Sequence, residues 1–343
     1  MPNKKLYNTL NAIQEAVFIL DSERHIVFVN QVGEKLFGKG FEGKDFVQVL
    51  RSPEILDSIN EVYAGKRSAS KVVAIDYPIR SHFSLMVRKV KGKLIVVSLK
   101  DISDMREAEK MRSDFVANVS HELRSPLTTL VGFIETLQGP AKGDEKANER
   151  FLELMNHEAS RMTRLIADLL SLSKVEANLR VRPREKINVL SIIQRIKSNL
   201  EEQAKLANTS IEVNFGDVKP TVIGNEDELT QVFQNLIENA IKYGDPNKSV
   251  KIWANIFESV PNIEGRALCV VVEDEGEGIP KEHLSRLTER FYRVDTHRSR
   301  NMGGTGLGLS IVKHIINRHR GSLQIDSEIG VGSKFSVYLP TGK

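Results

Sequence analysis

Four short stretches of this 343-residue chain combine residue types that can do chemistry. The first is Ser120-His-Glu-Leu-Arg-Ser-Pro126, where a histidine is followed by an acid. A neutral imidazole, with an unperturbed pKa of about 6.5, is a competent nucleophile near neutral pH. The second is Gln234-Asn-Leu-Ile-Glu-Asn-Ala-Ile-Lys-Tyr243. On a helix, Asn235 and Asn239 share a face with Lys242 beside them, so an amide oxygen for Mg²⁺ and an ammonium for phosphate charge sit together. In the third, a strand ends in Asp274 and Gly276 and Gly278 follow at alternate positions. An ionised Asp only accepts hydrogen bonds and suits an exocyclic amine such as adenine's, while the glycines permit a tight turn or a flat ring close by. The fourth is Gly303-Gly-Thr-Gly-Leu-Gly-Leu-Ser310, whose small residues, Gly304, Thr305, Gly306 and Gly308 with Leu307 among them, expose backbone N–H groups at a helix start. It lacks the Lys-Ser/Thr ending of a Walker A loop and the third glycine of a Rossmann turn. Between the third and fourth stretches, the arginine-dense Arg286–Arg300 has the composition of a mobile lid over phosphates.

Helices must position these groups. At about 100° per residue, Phe115, Val119, Leu123, Leu127, Leu130, Ile134 and Leu137 form one stripe, and His121 points away from it. The spacing predicts one helix over 102–138, stopped by Gly139-Pro140, and a second from an Asp144 cap to Ala177. The second helix carries its own stripe: Phe151, Met155, Met162, Leu165, Leu169 and Leu172. Two such helices make an antiparallel hairpin that buries each stripe only in part, and pairing two hairpins as a four-helix bundle completes the core, so a homodimer is expected. Residues 1–101 alternate short strand-like runs with helical patches, a small domain with a mostly antiparallel sheet whose last strand runs straight into the first long helix. After a polar linker around Arg180–Arg184, helices at 189–207, 226–243, 281–287 and 307–318 alternate with six strands. The fold class is α+β multidomain, with segments 1–101, 102–180 and 181–343.

Composition narrows the function. Hydrophobic content of 40% and charged content of 27% are ordinary for a globular protein, and a net charge of +4 is too small for its length to argue for nucleic acid or an anionic membrane. Cys269, the single cysteine, sits in an apolar run, so intrachain disulfides and CxxC metal sites are excluded and a reducing cytoplasm fits. No run approaches the roughly 18 apolar residues that cross a bilayer. The expected location is cytoplasmic, as a soluble protein or the cytoplasmic portion of a membrane sensor.

Taken in order, SHELRSPL, NLIENAIKY, DEGEGIP, ERFYRVD and GGTGLGLS closely resemble the H, N, first glycine, F and second glycine boxes of the sensor histidine kinases. The stretch FVANVSHELRSPLTTLVGFIETLQGP resembles the phosphate-regulon members of that family, and residues 1–101 look like a PAS sensory domain. The resemblance implies a two-helix dimerisation hairpin followed by a Bergerat-type sandwich, with ATP and Mg²⁺ as cofactors and a response regulator as partner. It implies that His121 is the phosphoacceptor and Glu122 assists its proton chemistry. Asn239 would be the magnesium ligand. Asn235, Lys242, Tyr243, Arg293, Gly304, Thr305, Gly306, Leu307 and Gly308 would contact ATP, and Asp274 would take adenine beside Gly276 and Gly278. Ser125 stands where many relatives carry Thr or Asn, four residues after the histidine, and its hydroxyl keeps dephosphorylation of the regulator within reach. Pro126 removes an N–H and crowds the carbonyl of Glu122, so a bend beside His121 is expected. Two other readings stay open: an ATPase of the gyrase or chaperone kind, and a dimeric scaffold without catalysis.

Overall fold

The computed structural model describes residues 4–76, 81–90, 93–177, 181–294 and 304–341. Two compact units emerge, 1–117 and 118–343, and their boundary falls inside the first long helix.

In the first unit, β1 (Ala16–Leu20), β2 (Ile26–Val29), β3 (Ser68–Ile75), β4 (Ser81–Lys89) and β5 (Ile95–Asp101) form a sheet of order β2-β1-β5-β4-β3, every pair antiparallel. Helices α1 (Lys4–Asn11), α2 (Gln31–Phe37), α3 (Phe46–Val49) and α4 (Pro53–Tyr63) accompany it. Alternate strand residues face a core into which Phe18, Phe37, Phe46 and Phe83 project as a chain of tilted and edge-on rings 5.3–5.9 Å apart. Asn30, fully buried, spends all its amide capacity. Its Oδ1 accepts the Val17 and Gly33 N–H groups, and its Nδ2 donates to the Leu10 and Glu15 carbonyls. One side chain therefore ties the end of α1, the start of β1 and the cap of α2.

The middle strand β5 passes into α5 (Ser103–Gln138) through Ile102 alone. Asp101 Oδ1 accepts the Ser103 N–H at 2.8 Å, and Ser103 Oγ accepts the His82 N–H of β4 at 2.9 Å. The helix continues through Pro126, and Asp144 Oδ1 caps α6 (Glu145–Ala177) by accepting the Ala147 N–H at 3.0 Å. The expected stripe of α5 is covered in part, with Phe115, Val119, Leu123, Leu130 and Leu137 partly buried. Glu122, Pro126 and Phe133 are sheltered, with Phe133 5.4 Å from the Phe151 ring, whereas Leu127 and Ile134 are 54% and 41% exposed. Pro126 is buried on the same sheltered side of the helix.

The second unit ends in a two-layer α/β sandwich. Its sheet orders β11 (Ser322–Glu328), β12 (Gly332–Pro340), β10 (Ala267–Asp274), β9 (Ser249–Phe257) and β7 (Ser210–Asn214), with only β7–β9 parallel. A separate pair, β6 (Glu185–Asn188) with β8 (Thr221–Gly224), includes a strand that the spacing of polar Glu185-Lys186-Ile187-Asn188 does not announce. Three amphipathic helices, α7 (Val189–Leu206), α8 (Glu226–Tyr243) and α10 (Gly308–Arg318), bury apolar stripes such as Leu229, Val232, Phe233, Leu236 and Ile237. Short α9 (Lys281–Leu284) stops three residues before the expected Leu287, and residues 295–303 of the expected lid stretch lie outside the described residues.

The start of α8 is held from α10. His319, 2% exposed, accepts the N–H of the α8 cap residue Asn225 through Nε2 at 3.0 Å, and its Nδ1 faces the Ile315 carbonyl at 2.8 Å. That pair of bonds requires the neutral ring protonated on Nδ1, and burial first of all lowers its pKa. Arg318 pairs with Glu228 alongside, whose own pKa is raised by burial. A base with a lowered folded pKa binds protons more readily when unfolded, so its contribution is present above about pH 6.5 and is lost on acidification. His319→Phe should cost about 1–3 kcal/mol at pH 7.5 by orphaning the Asn225 N–H. It should also flatten the fall in stability between pH 7 and 5, as measured by urea unfolding at each pH.

Candidate active site

Helix α8 supplies the asparagines because its sequence specifies both ends. Asn225 Oδ1 accepts the Glu228 N–H, three acids fill the first turn, and Lys242 lies in the last. Along the helix, Asn235 and Asn239 repeat one turn apart on the edge left open by the apolar stripe, both partly exposed. Asn235 Oδ1 lies 3.4 Å from where a side chain on Gly308 would begin, so the N box and the second glycine box touch. Its Nδ2 is buried and has no hydrogen-bond partner among the described residues.

At the other end of α8, Gly244 forms an isolated antiparallel bridge with Gly276. A Cβ on Gly276 would sit 2.1 Å from the Tyr243 carbonyl oxygen. The sequence suggests that glycine there makes room for a tight turn or a ring; the structure shows that it makes room for backbone. Asp274, the last residue of β10, is 5% exposed and accepts the Gly276 N–H through Oδ1 at 3.1 Å. Burial dominates its electrostatics and pushes its pKa up to about 6 against the pull of backbone N–H groups at Gly276 and Ser333. Gly278 follows with φ +73°. Lys242 and Tyr243 close the helix, with the ammonium 5.0 Å from the phenol ring centre.

The F box meets the second glycine box by a backbone bond, Phe291 N–H to the Gly306 carbonyl at 2.8 Å. Phe291 takes φ +63°, a cost that marks a position held by its surroundings, and Gly306 takes φ +74°, which glycine adopts freely. Leu307 is fully buried below Thr305, whose Oγ1 accepts the Leu307 N–H at 3.2 Å. Gly304 is partly exposed, and Gly308 opens α10.

On the hairpin, His121 is exposed, as is Ser125 one turn later. Glu122 faces inward. Its Oε2 accepts Arg161 Nη2 at 2.8 Å and Arg293 Nη2 at 3.2 Å. Further along α6, Asp168 Oδ2 accepts Thr305 Oγ1 at 2.7 Å, Ser171 Oγ donates to Gln231 at 2.7 Å, and Glu176 pairs with Arg290. The structure thus brings the N box against both glycine boxes, at Gly308 and at Gly276, and sets Arg293 against the residue following His121. Arg161 and Asp168 escape a reading of apolar stripes, yet they share the stripe of Leu165, Leu172 and Val175, and a charge in that register is itself a signal of a partner.

Family descriptions match this chain in three places. A PAS domain covers residues 4–70, a His Kinase A (phospho-acceptor) domain residues 111–178, and a histidine kinase-, DNA gyrase B- and HSP90-like ATPase residues 224–343. The chain belongs to the sensor histidine kinases, enzymes of the ATP-dependent protein-histidine kinase class. Among its relatives, it is 34% identical to the phosphate regulon sensor protein PhoR of Pseudomonas aeruginosa, over 98% of this chain and 74% of that protein. It is 33% identical to the sensor protein kinase WalK of Staphylococcus aureus strain Newman, over 98% of this chain but 55% of that protein, so it spans about half of the longer relative. Among solved structures, the Acinetobacter baumannii histidine kinase AdeS aligns with a TM-score of 0.50 at 27% identity, covering 65% of this chain and 98% of that one. ThkA, crystallised with the response regulator protein TrrA, aligns over 98% of both chains with a TM-score of 0.52 at 20% identity, a likeness of fold.

The contact of Gly276 with Tyr243 leaves no space for a methyl group. Gly276→Ala should lower the stability of the sandwich by more than about 2 kcal/mol in thermal or denaturant unfolding and weaken ATP binding, whereas alanine at the open Gly216 turn should leave ATP binding intact.

Proposed function

We propose that this chain binds ATP between α8 and the glycine turns, phosphorylates His121, and passes the phosphoryl group to an aspartate of a separate response regulator. The contacts of Gly308 with Asn235 and of Gly276 with Tyr243 and Asp274, with exposed His121 beside the Arg293 partner Glu122, carry this reading. Asp274 receives the adenine amine as an ionised acceptor. Lys242, Tyr243, Arg293 and the 304–308 backbone accommodate the phosphates, with Asn235 offering its unpaired amide N–H. Asn239 would hold magnesium, an oxygen-seeking ion that keeps phosphate and water as its other ligands and neutralises charge during transfer. Glu122 takes a proton from the His121 imidazole as its other nitrogen attacks the γ-phosphorus, and ADP departs. The work of the protein is positioning and charge neutralisation.

Ser125, one turn from His121, orients water for removing the phosphoryl group from the regulator. The exposed Leu127, Val131, Ile134, Ile166 and Leu170 support association of two hairpins into a four-helix bundle. The ThkA–TrrA complex supports a regulator as partner, and the likeness to PhoR supports a role in phosphate-starvation signalling. Among the described residues no helix is long and apolar enough to cross a membrane. We place the activity in the cytoplasm, as a soluble protein or the cytoplasmic part of a membrane sensor.

Radiolabel from the γ-phosphate should appear as an acid-labile, base-stable adduct. His121→Gln should abolish it, and Asn239→Ala or Asp274→Asn should reduce it at least about 100-fold; label that survives His121→Gln would refute the site. The Asp274 carboxyl gives a second test. An acceptor with a pKa near 6 loses its charge as pH falls, so ATP affinity should be constant above pH 7 and decline about tenfold per pH unit below 6. Calorimetric titration from pH 5 to 8 measures it, and a flat profile would show that Asp274 does not receive the base.

A further inference from the structure

Arg293, read above as a phosphate contact, and Thr305, within the 304–308 stretch read the same way, are held by carboxylates of the hairpin. Arg293 Nη2 donates to Glu122 Oε2, and Thr305 Oγ1 donates to Asp168 Oδ2. Both contacts are sheltered, with the Arg293 side chain 6% exposed and that of Glu122 17% exposed. A carboxylate offers a guanidinium the same pair of anionic oxygens that a phosphate does. The Arg293 fork is also incompletely used, because its Nε is buried without a partner among the described residues. Glu122, by contrast, does not depend on Arg293. Arg161 holds the same oxygen at a shorter distance, so Arg293 can leave without stranding a charge on the hairpin.

We propose that Glu122 and Asp168 form a displaceable clasp on the nucleotide lobe, keeping Arg293 and Thr305 until the phosphates of a nucleoside triphosphate take both. The proposal rests on the reading of those two residues as phosphate contacts. Occupancy by carboxylate and by phosphate is mutually exclusive, so the two equilibria are linked. The clasp weakens nucleotide binding, and nucleotide weakens the clasp by the same factor. The arrangement couples phosphate binding to release of the carboxylate that adjoins His121. Burial raises the Asp168 pKa while its bond from Thr305 lowers it, consistent with a carboxylate that relies on that hydroxyl.

The test is equilibrium titration of the full chain with a non-hydrolysable ATP analogue and magnesium. Asp168→Ala frees Thr305 and Glu122→Gln weakens the hold on Arg293, and each should tighten binding about fivefold. Ser171→Ala removes a hairpin contact to Gln231 that involves neither residue and should leave affinity unchanged. Wild-type binding that Asp168→Ala and Glu122→Gln do not tighten overturns the clasp alone. Equal tightening by Ser171→Ala also overturns it, since general undocking would then be the cause. A chain that fails to bind the analogue in every form refutes the nucleotide reading and the clasp together.

Discussion

Backbone lying against backbone at a few glycines is the constraint that brings the N box, the F box and both glycine boxes together from distant stretches of chain. Tyr243 ends α8, and its carbonyl oxygen occupies the volume a side chain on Gly276 would need. Phe291 and Gly306 close the same kind of contact on the opposite side, both with positive φ. These contacts fix where Asp274 and the asparagines stand relative to one another, and side chains then add chemistry to a frame already set. Interactions of this kind tolerate little adjustment, since close-packed backbone cannot be repacked as a side chain can.

The hairpin follows a different logic. Its inward face mixes apolar residues with charges, and the charges are matched by partners on the ATP-binding sandwich: Glu122 with Arg293, Asp168 with Thr305, Glu176 with Arg290. Its outward face keeps Leu127, Val131, Ile134 and Leu170 substantially exposed. One helix pair therefore presents an electrostatic surface to its own chain and an apolar one outward. Polar contacts between preformed bodies can be exchanged for others of similar worth, whereas apolar association is favoured in proportion to the area covered.

Much of this was legible in the sequence, for reasons that differ from element to element. Asp144 as a cap, the four-residue repeat of Asn235 and Asn239, and the strand ending at Asp274 each follow from local geometry, and they appear where spacing puts them. The β6 strand was hidden because Glu185-Lys186-Ile187-Asn188 gains its conformation only from pairing with β8. On α5 the sheltered face takes in Glu122 and Pro126 beside the apolar stripe, because Glu122 meets Arg161 across the hairpin, a contact that apolar spacing does not announce. Gly276 reads locally as a turn residue, but its reason lies in Tyr243, more than thirty positions earlier. Long-range contact, in short, decides what period and propensity leave open.

The junction at Ile102 has a mechanical consequence. The strand that becomes α5 lies in the middle of its sheet, bonded on both sides, and Ser103 is stitched back to His82 before the first helical turn is complete. No slack residues separate sheet from shaft. Whatever shears or flattens those strands turns the root of the helix with them, as a lever moves when its fulcrum is tilted.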